Sequence, residues 1–241
     1  MKKLLLILIL SVNCAKEFSD DKLYDFSILR KLLLSRVIIT TSTTTTPSAS
    51  TTNTNKYIFL TVSTHNGNFN NDSSLATNGA TNGNSNGIEE ADQFCLNEKN
   101  SNFSTLPGDA NSYKAFLVDG NNRISCTTAN CSGGISESNG KWILTANTSY
   151  YRYDNGANTL LFTTNNSGIF SFPILNSFDT TSTNIWTGLL NDFTLDFTCT
   201  IPWGSTGGTA TRGNTSSLTN TSISSATASC SSSLKILCVR Q

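Results

Sequence analysis

Apolar positions fall into three different regimes along the chain. Leu4 to Leu10 is an unbroken run of Leu and Ile behind Met1-Lys2-Lys3. Even extended through Val12, it is about half the ~20 residues a bilayer-spanning helix needs. A basic start, a short apolar core and a small-to-polar end read as a secretory signal over residues 1–13. Residues 14–39 carry a second apolar cluster, Ile28 to Ile39, broken by Arg30, Lys31 and Arg36. Those charges argue against a second span. An interfacial helix with its cations at headgroups, a short helix packed on a domain and an oligomerisation segment all fit. Residues 40–56 are almost all Thr and Ser around Pro47, a solvated linker with nothing to bury. As a coil it covers roughly 20 Å, and up to about 50 Å extended.

From Tyr57 onward the pattern becomes that of a folded domain. Tyr57 to Val62 predicts a first strand. Thr64 to Gly87 is an Asn/Gly-rich loop with a near-repeat at residues 76–87, residue types that tolerate positive φ and disfavour regular structure. It reads as a mobile surface insertion, either a binding loop or repeat-expanded filler. Ile88 to Lys99 predicts a helix, with Glu89 and Glu90 in its first turn and Ile88, Ala91 and Cys95 on one face. Short strands are expected at Tyr113–Val118, Lys141–Leu144, Ser149–Tyr153, Leu160–Thr164, Ile185–Gly188 and Leu234–Val239. One early helix followed by short strands and long polar loops is an α+β pattern.

Composition sharpens this. Residues 57–241 are 185 residues, long enough for one domain with a real core. They hold eight Lys or Arg and twelve Asp or Glu, a net of about −4, so the neutral whole chain hides a mildly acidic domain. Without a basic stripe, nucleic acid is excluded as a partner. Seven cysteines divide into Cys14, at the end of the signal segment, and six from Cys95 to Cys238. An even number in an exported domain implies disulfides, with 15 pairings open to six cysteines. A zinc site is the competing use, disfavoured by one histidine, wide spacings and no CxxC. Cys14 follows Leu10-Ser11-Val12-Asn13, a loose lipobox, which makes Cys14 the acylation site and the membrane anchor. An ordinary signal peptide with an incidental cysteine is the alternative.

Several stretches line up in order: Gly87-Ile88-Glu89-Glu90-Ala91-Asp92-Gln93-Phe94-Cys95, Tyr113-Lys114-Ala115-Phe116-Leu117, Ile169-Phe170-Ser171-Phe172, Ile185-Trp186-Thr187-Gly188-Leu189, and Ser229-Cys230 with Ile236-Leu237-Cys238-Val239. Together they resemble the endostatin domain of certain collagens. More closely, they resemble the leptospiral endostatin-like lipoproteins and their wider domain-of-unknown-function family. Cys126-Thr127-Thr128-Ala129-Asn130-Cys131-Ser132-Gly133-Gly134 is similar to the bacterial family specifically. The resemblance implies a disulfide-stapled, C-type-lectin-like (endostatin-like) domain over 57–241. It also implies the pairs Cys95 with Cys238, Cys199 with Cys230 and Cys126 with Cys131.

Chemistry-bearing residues are sparse. His65 is the sole histidine, expected in a polar surface loop, and no GxSxG, HExxH or Walker loop is present. With all six domain cysteines paired no thiol nucleophile remains, so no enzyme, no cofactor and no metal are expected. Calcium would need several carboxylates. Asn191, Asp192 and Asp196 follow the central strand, but the paired Glu-Pro-Asn and Trp-Asn-Asp elements of calcium lectins are missing, and these acids read as turn caps. What remains is surface recognition by the loop between Leu189 and Gly213. Phe193, Phe197 and Trp203 are its candidate aromatics, with core packing the alternative for Trp203 and still more for Trp186. The resemblance therefore implies a non-catalytic outer-membrane lipoprotein at the cell surface. It would be an adhesin for host matrix proteins such as laminin or fibronectin, for plasminogen or for complement regulators. The runner-up is a periplasmic-facing lipoprotein with a structural or small-ligand (carbohydrate) role.

Overall fold

A computed structural model describes residues 55–72, 75, 87–134, 137–138, 140–154 and 156–241. The signal segment, Cys14, the membrane-proximal segment, the linker through residue 54 and the repeat at 76–86 lie outside the described residues. The rest is an α+β domain stabilised by three disulfides.

Its centre is a five-stranded sheet, in the order β2 (Tyr113–Ala115), β8 (Leu237–Arg240), β1 (Lys56–Leu60), β3 (Ser149–Asp154), β4 (Ala157–Thr163). β1 pairs antiparallel with β8, Phe59 opposite Cys238, and parallel with β3, Ile58 opposite Arg152. Successive side chains of a strand point to opposite faces, and both faces here are covered. Tyr57, Phe59, Ala115, Leu117, Ile236 and Cys238 enter one core; Ile58, Phe116, Val118, Leu237 and Val239 enter the other. The uninterrupted apolar run Ile236–Val239 is therefore the signature of a strand buried on both sides.

The first core is closed by helix α1 (Gly87–Asn102). Ile88, Ala91 and Cys95 face inward as their spacing predicts, and Glu89 and Glu90 occupy the first turn. Gly87 is required by contact: a Cβ there would lie 2.3 Å from the Trp203 carbonyl oxygen. At the other end, Glu98 accepts hydrogen bonds from the Val62 and Ser63 amides at 2.8 and 3.2 Å, ending β1. Asp92 accepts from the Ala115 amide at 2.9 Å and from Arg123 Nη2 at 2.8 Å, joining α1 to β2. The second core is aromatic. Phe162 stacks on Phe170 with centroids 4.0 Å apart, and Phe170 meets Phe193 edge-on at 4.9 Å.

A smaller sheet, β5 (Asn184–Trp186), β6 (Thr209–Asn214) and β7 (Ala226–Ser229), is antiparallel throughout. β6 and β7 are absent from the sequence-based reading, and the strand expected at Lys141–Leu144 is instead a turn. Trp142, Ile143 and Leu144 are buried there, with Trp142 Nε1 donating to the Gly168 carbonyl at 2.8 Å. Core filling, not strand pairing, accounts for that apolar cluster.

The three disulfides join Cys95 to Cys238, Cys126 to Cys131 and Cys199 to Cys230, the pairs that the resemblance implies. The expectation of a mobile insertion from Thr64 needs correcting over its first part. His65 bridges to Leu234, Asn68 bridges to Gly204 and Phe69 is fully buried, so residues 64–72 are tied to the core. His65 is accordingly no surface residue. Its ring stacks on Phe69 at 4.0 Å and its side chain is only 10% exposed.

Candidate functional site

The segment between β5 and β6, residues 187–208, is the longest connection inside the smaller sheet, and its backbone is held at many points. Thr187 Oγ1, fully buried, donates to the Ile223 carbonyl at 2.7 Å. Leu190 accepts from and donates to the 193–194 turn, and the Asp192 carbonyl accepts the Asn130 amide at 2.8 Å. Ser125 Oγ donates to the Phe193 carbonyl in a short hydrogen bond, and Cys126 bridges to Thr194. Farther along, the Thr211 amide donates to the Phe197 carbonyl at 2.9 Å and Cys199 is bonded to Cys230. A segment tied at both ends and in its middle has little conformational entropy left to lose on binding.

The sequence-based site residues separate into two groups. Asp192 Oδ1 accepts from the Thr194 amide at 3.1 Å and its hydroxyl at 2.6 Å, and Asp196 Oδ2 accepts from the Thr211 hydroxyl at 2.5 Å. Both acids therefore shape the turn and its contact with β6, and Asn191 is exposed at the tip. Among the described residues no three of His, Cys, Asp and Glu gather as a metal site would require.

Phe193 and Trp203, expected as exposed recognition aromatics, are buried at 1% and 0% exposure, and this corrects that expectation. Phe193 fills the aromatic core between Phe170 and Phe172. Trp203 sits beneath the start of α1, 5.9 Å from Trp186, and its indole N–H donates to the Val118 carbonyl at 2.7 Å. Each has a hydrophobic body that gains most from burial, and for Trp203 the core also supplies a hydrogen-bond acceptor. Trp186 is likewise fully buried, its indole N–H on the His65 carbonyl at 2.9 Å.

Phe197 alone of these aromatics is exposed, at 59%, and it is joined by aliphatic residues the sequence did not single out: Leu190, Leu195 and Ile201. These four lie within twelve consecutive positions, yet they are the majority of the seven large hydrophobic side chains exposed among the described residues. Scattered apolar residues need no explanation; a concentration of them on one braced loop does. The backbone adds a second anomaly. Phe193, Ile201 and Trp203 have φ of 67°, 54° and 57°, the left-handed region, which is rare for bulky and β-branched residues. Such conformations cost about 1–3 kcal/mol each and persist only where surrounding contacts enforce them. The twist at 201–203 turns Ile201 outward and Trp203 inward within three residues. No sequence signal distinguishes Ile201 from a core residue, because the local pattern is the same.

A reactive site does not assemble around His65. Its Nδ1 meets the Asn66 carbonyl at 2.6 Å and its Nε2 meets Asp72 Oδ2 at 3.1 Å, so both ring nitrogens face acceptors within the fold. Every cysteine among the described residues is in a disulfide. The strongest perturbation of an exposed carboxylate is at Glu137, where the Thr128 and Thr127 hydroxyls and amides donate to it. They hold its pKa down to about 2. That arrangement braces the Cys126–Cys131 turn and leaves Glu137 as a structural acceptor.

No curated protein matches the chain. A family pattern does match, over residues 78–221, which takes in α1, the Cys126–Cys131 turn and the whole braced loop. It stops short of β7 and β8, although the Cys95–Cys238 and Cys199–Cys230 bonds tie the matched region to that C-terminal part of the fold. The chain belongs to this family, described as a protein of unknown function (DUF1554).

Proposed function

We propose that the protein is a non-catalytic surface lipoprotein, acylated at Cys14 and held in the bacterial outer membrane. Its C-type-lectin-like domain binds a host protein through the loop between β5 and β6. The candidate partners are laminin, fibronectin, plasminogen and complement regulators. The observation that carries the reading is the concentration of Leu190, Leu195, Phe197 and Ile201 on a loop whose backbone is fixed before any partner arrives. Apolar side chains on a preorganised backbone contribute contact area without the cost of ordering the loop. Two further features favour the lectin-like fold and its endostatin-like variant: the bond from helix α1 to the last strand, and the first and last strands paired side by side.

The test has two arms. Protease treatment of intact cells is expected to cleave or release the domain; protection until the outer membrane is broken would sink the surface assignment. In the second arm, Phe197→Ser with Ile201→Ser is expected to leave unfolding stability within about 0.5 kcal/mol, as exposed substitutions do. Binding to whichever partner the native protein captures should weaken at least tenfold, which is about 1.4 kcal/mol. Unchanged affinity for that partner would refute the loop as the binding surface.

A further inference from the structure

A groove away from the loop has the size of a ligand site. It is a cleft of about 400 Å³ where β1 and β3, the parallel pair of the main sheet, separate beyond the Ile58–Arg152 register. Its floor is made by Ile58, Phe59 and Leu60, consecutive residues whose side chains point to opposite faces of the sheet. The cleft therefore passes from the helix side through the gap between the strand ends. On the helix side it is walled by Phe103, Thr105 and Tyr153; on the other, by Arg152, Asp154 and Asp179. This volume lies within the ~300–1,000 Å³ of small-molecule sites.

The polar groups narrow the ligand's chemistry. Asp154 is already engaged: its two oxygens accept from Arg152 Nε, each at 2.8 Å, and Oδ2 also accepts from the Thr159 hydroxyl at 3.1 Å. Asp179 Oδ1 accepts the Thr181 amide at 3.1 Å. A cation would find these carboxylates partly satisfied, and an anion would meet two of them against one guanidinium. A wholly apolar ligand would strip water from the charged wall and give nothing back. What the site still offers is a mixture. Arg152 Nη1 is spent on the Ser177 carbonyl, while its Nη2 makes no hydrogen bond among the described residues. Beside it stand carboxylate lone pairs and the half-buried faces of Phe103 and Tyr153. Hydroxyl groups both donate and accept, and the C–H faces of a sugar ring pack on aromatic rings.

We propose that this cleft is a binding site for a neutral saccharide of one or two rings, separate from the β5–β6 loop and independent of the function assigned to that loop. The test is an amide-resolved NMR titration of the purified protein with cellobiose, maltose, chitobiose and lactose, each to ~10 mM, about ten times a ~1 mM dissociation constant. At least one disaccharide is expected to saturate, moving the amides of residues 58–60, 102–106 and 152–154 while leaving 189–203 in place. Thr105→Arg, at an exposed position on the rim, should fill the cleft and weaken that binding at least tenfold with the rest of the spectrum unchanged. Tyr153→Ala should weaken it through loss of the stacking face. No saturable shift with any of the four sugars would overturn the proposal, as would shifts confined to the loop. Tighter binding of trialanine than of any sugar in the same cleft would reassign its chemistry to peptide and overturn the saccharide. Phe197→Ser with Ile201→Ser must leave sugar binding intact and Thr105→Arg must leave protein binding intact, so either reading fails without the other.

Discussion

Replacing Arg123 by Met tests how the domain joins its helix to its sheet. Arg123 is 3% exposed, and its guanidinium is spent entirely on neighbours. Nη1 and Nη2 donate to Asp92 at 3.1 and 2.8 Å, Nη1 also to the Ala115 carbonyl at 2.7 Å, and Nε to the Lys141 carbonyl at 3.0 Å. Met matches much of the aliphatic stem and donates nothing. Asp92, with its side chain 12% exposed, would keep the Ala115 amide at 2.9 Å and Lys114 at 3.7 Å, and two carbonyls would lose their donor. Each buried acceptor left unpaired costs about 1–3 kcal/mol, and breaking a buried ion pair from one side costs about 3–5 kcal/mol. Because Lys114 can move closer and water can reach the wall of α1, we expect the single variant near the lower end, ~3 kcal/mol. Asp92→Leu alone should cost a similar amount, since it strands the guanidinium and the Ala115 amide. The double variant removes both charges together, so its cost should fall short of the sum by about 2–3 kcal/mol. Urea unfolding with the disulfides intact, followed by the fluorescence of the three buried tryptophans, reads all three values. A loss below ~1 kcal/mol for Arg123→Met, or strictly additive single costs, would refute the claim that this pair is one buried unit.

Two further outcomes follow from the same structure. In the chain-entropy treatment, replacing both cysteines of a pair by Ala should cost about 5 kcal/mol for Cys95–Cys238, about 4 for Cys199–Cys230 and about 2 for Cys126–Cys131, because their separations of 143, 31 and 5 residues set the entropy each bond removes. Thermal unfolding of the three double variants should preserve that order, and a Cys126–Cys131 variant as damaged as the Cys95–Cys238 one would contradict it. Glu137 has a folded pKa held near 2, below its ordinary 4.5, so its contribution to stability is full above about pH 4.5 and is lost as pH falls through about 2. Carbon-detected titration of its carboxyl should give the low midpoint, and Glu137→Gln should remove that part of the acid dependence; a midpoint above 4 would show the Thr127 and Thr128 donors to be absent in solution.

How legible these features were depends on whether their cause is local. The run Ile236–Val239 announces a strand because both of its faces meet a core, and Ile88, Ala91 and Cys95 announce a helix because their spacing is the helical one. β6 and β7 announce nothing. Thr209-Ala-Thr-Arg-Gly-Asn and Ala226-Thr-Ala-Ser lack large apolar residues, and they are strands because β5 and each other lie alongside. Asp92 is readable as an acid near a helix start, but its partner Arg123 is 31 residues away and nothing between them marks the pairing. The same limit governs the candidate site. In a Thr- and Ser-rich stretch an aromatic is naturally read as an exposed anchor and an aliphatic as stray core. The structure leaves Phe197 exposed but otherwise inverts this: Phe193 and Trp203 are buried, Trp203 in the space that Gly87 leaves under α1, and Leu195 and Ile201 face outward. That inversion is the strongest argument for function on this loop. Burying Ile201 would gain about 1.5–3 kcal/mol, and relieving its left-handed backbone about 1–3 more. A loop shaped only by folding stability would take both gains. One that forgoes them, while braced by Cys199–Cys230 and the Trp203 hydrogen bond, is what the proposed binding surface requires.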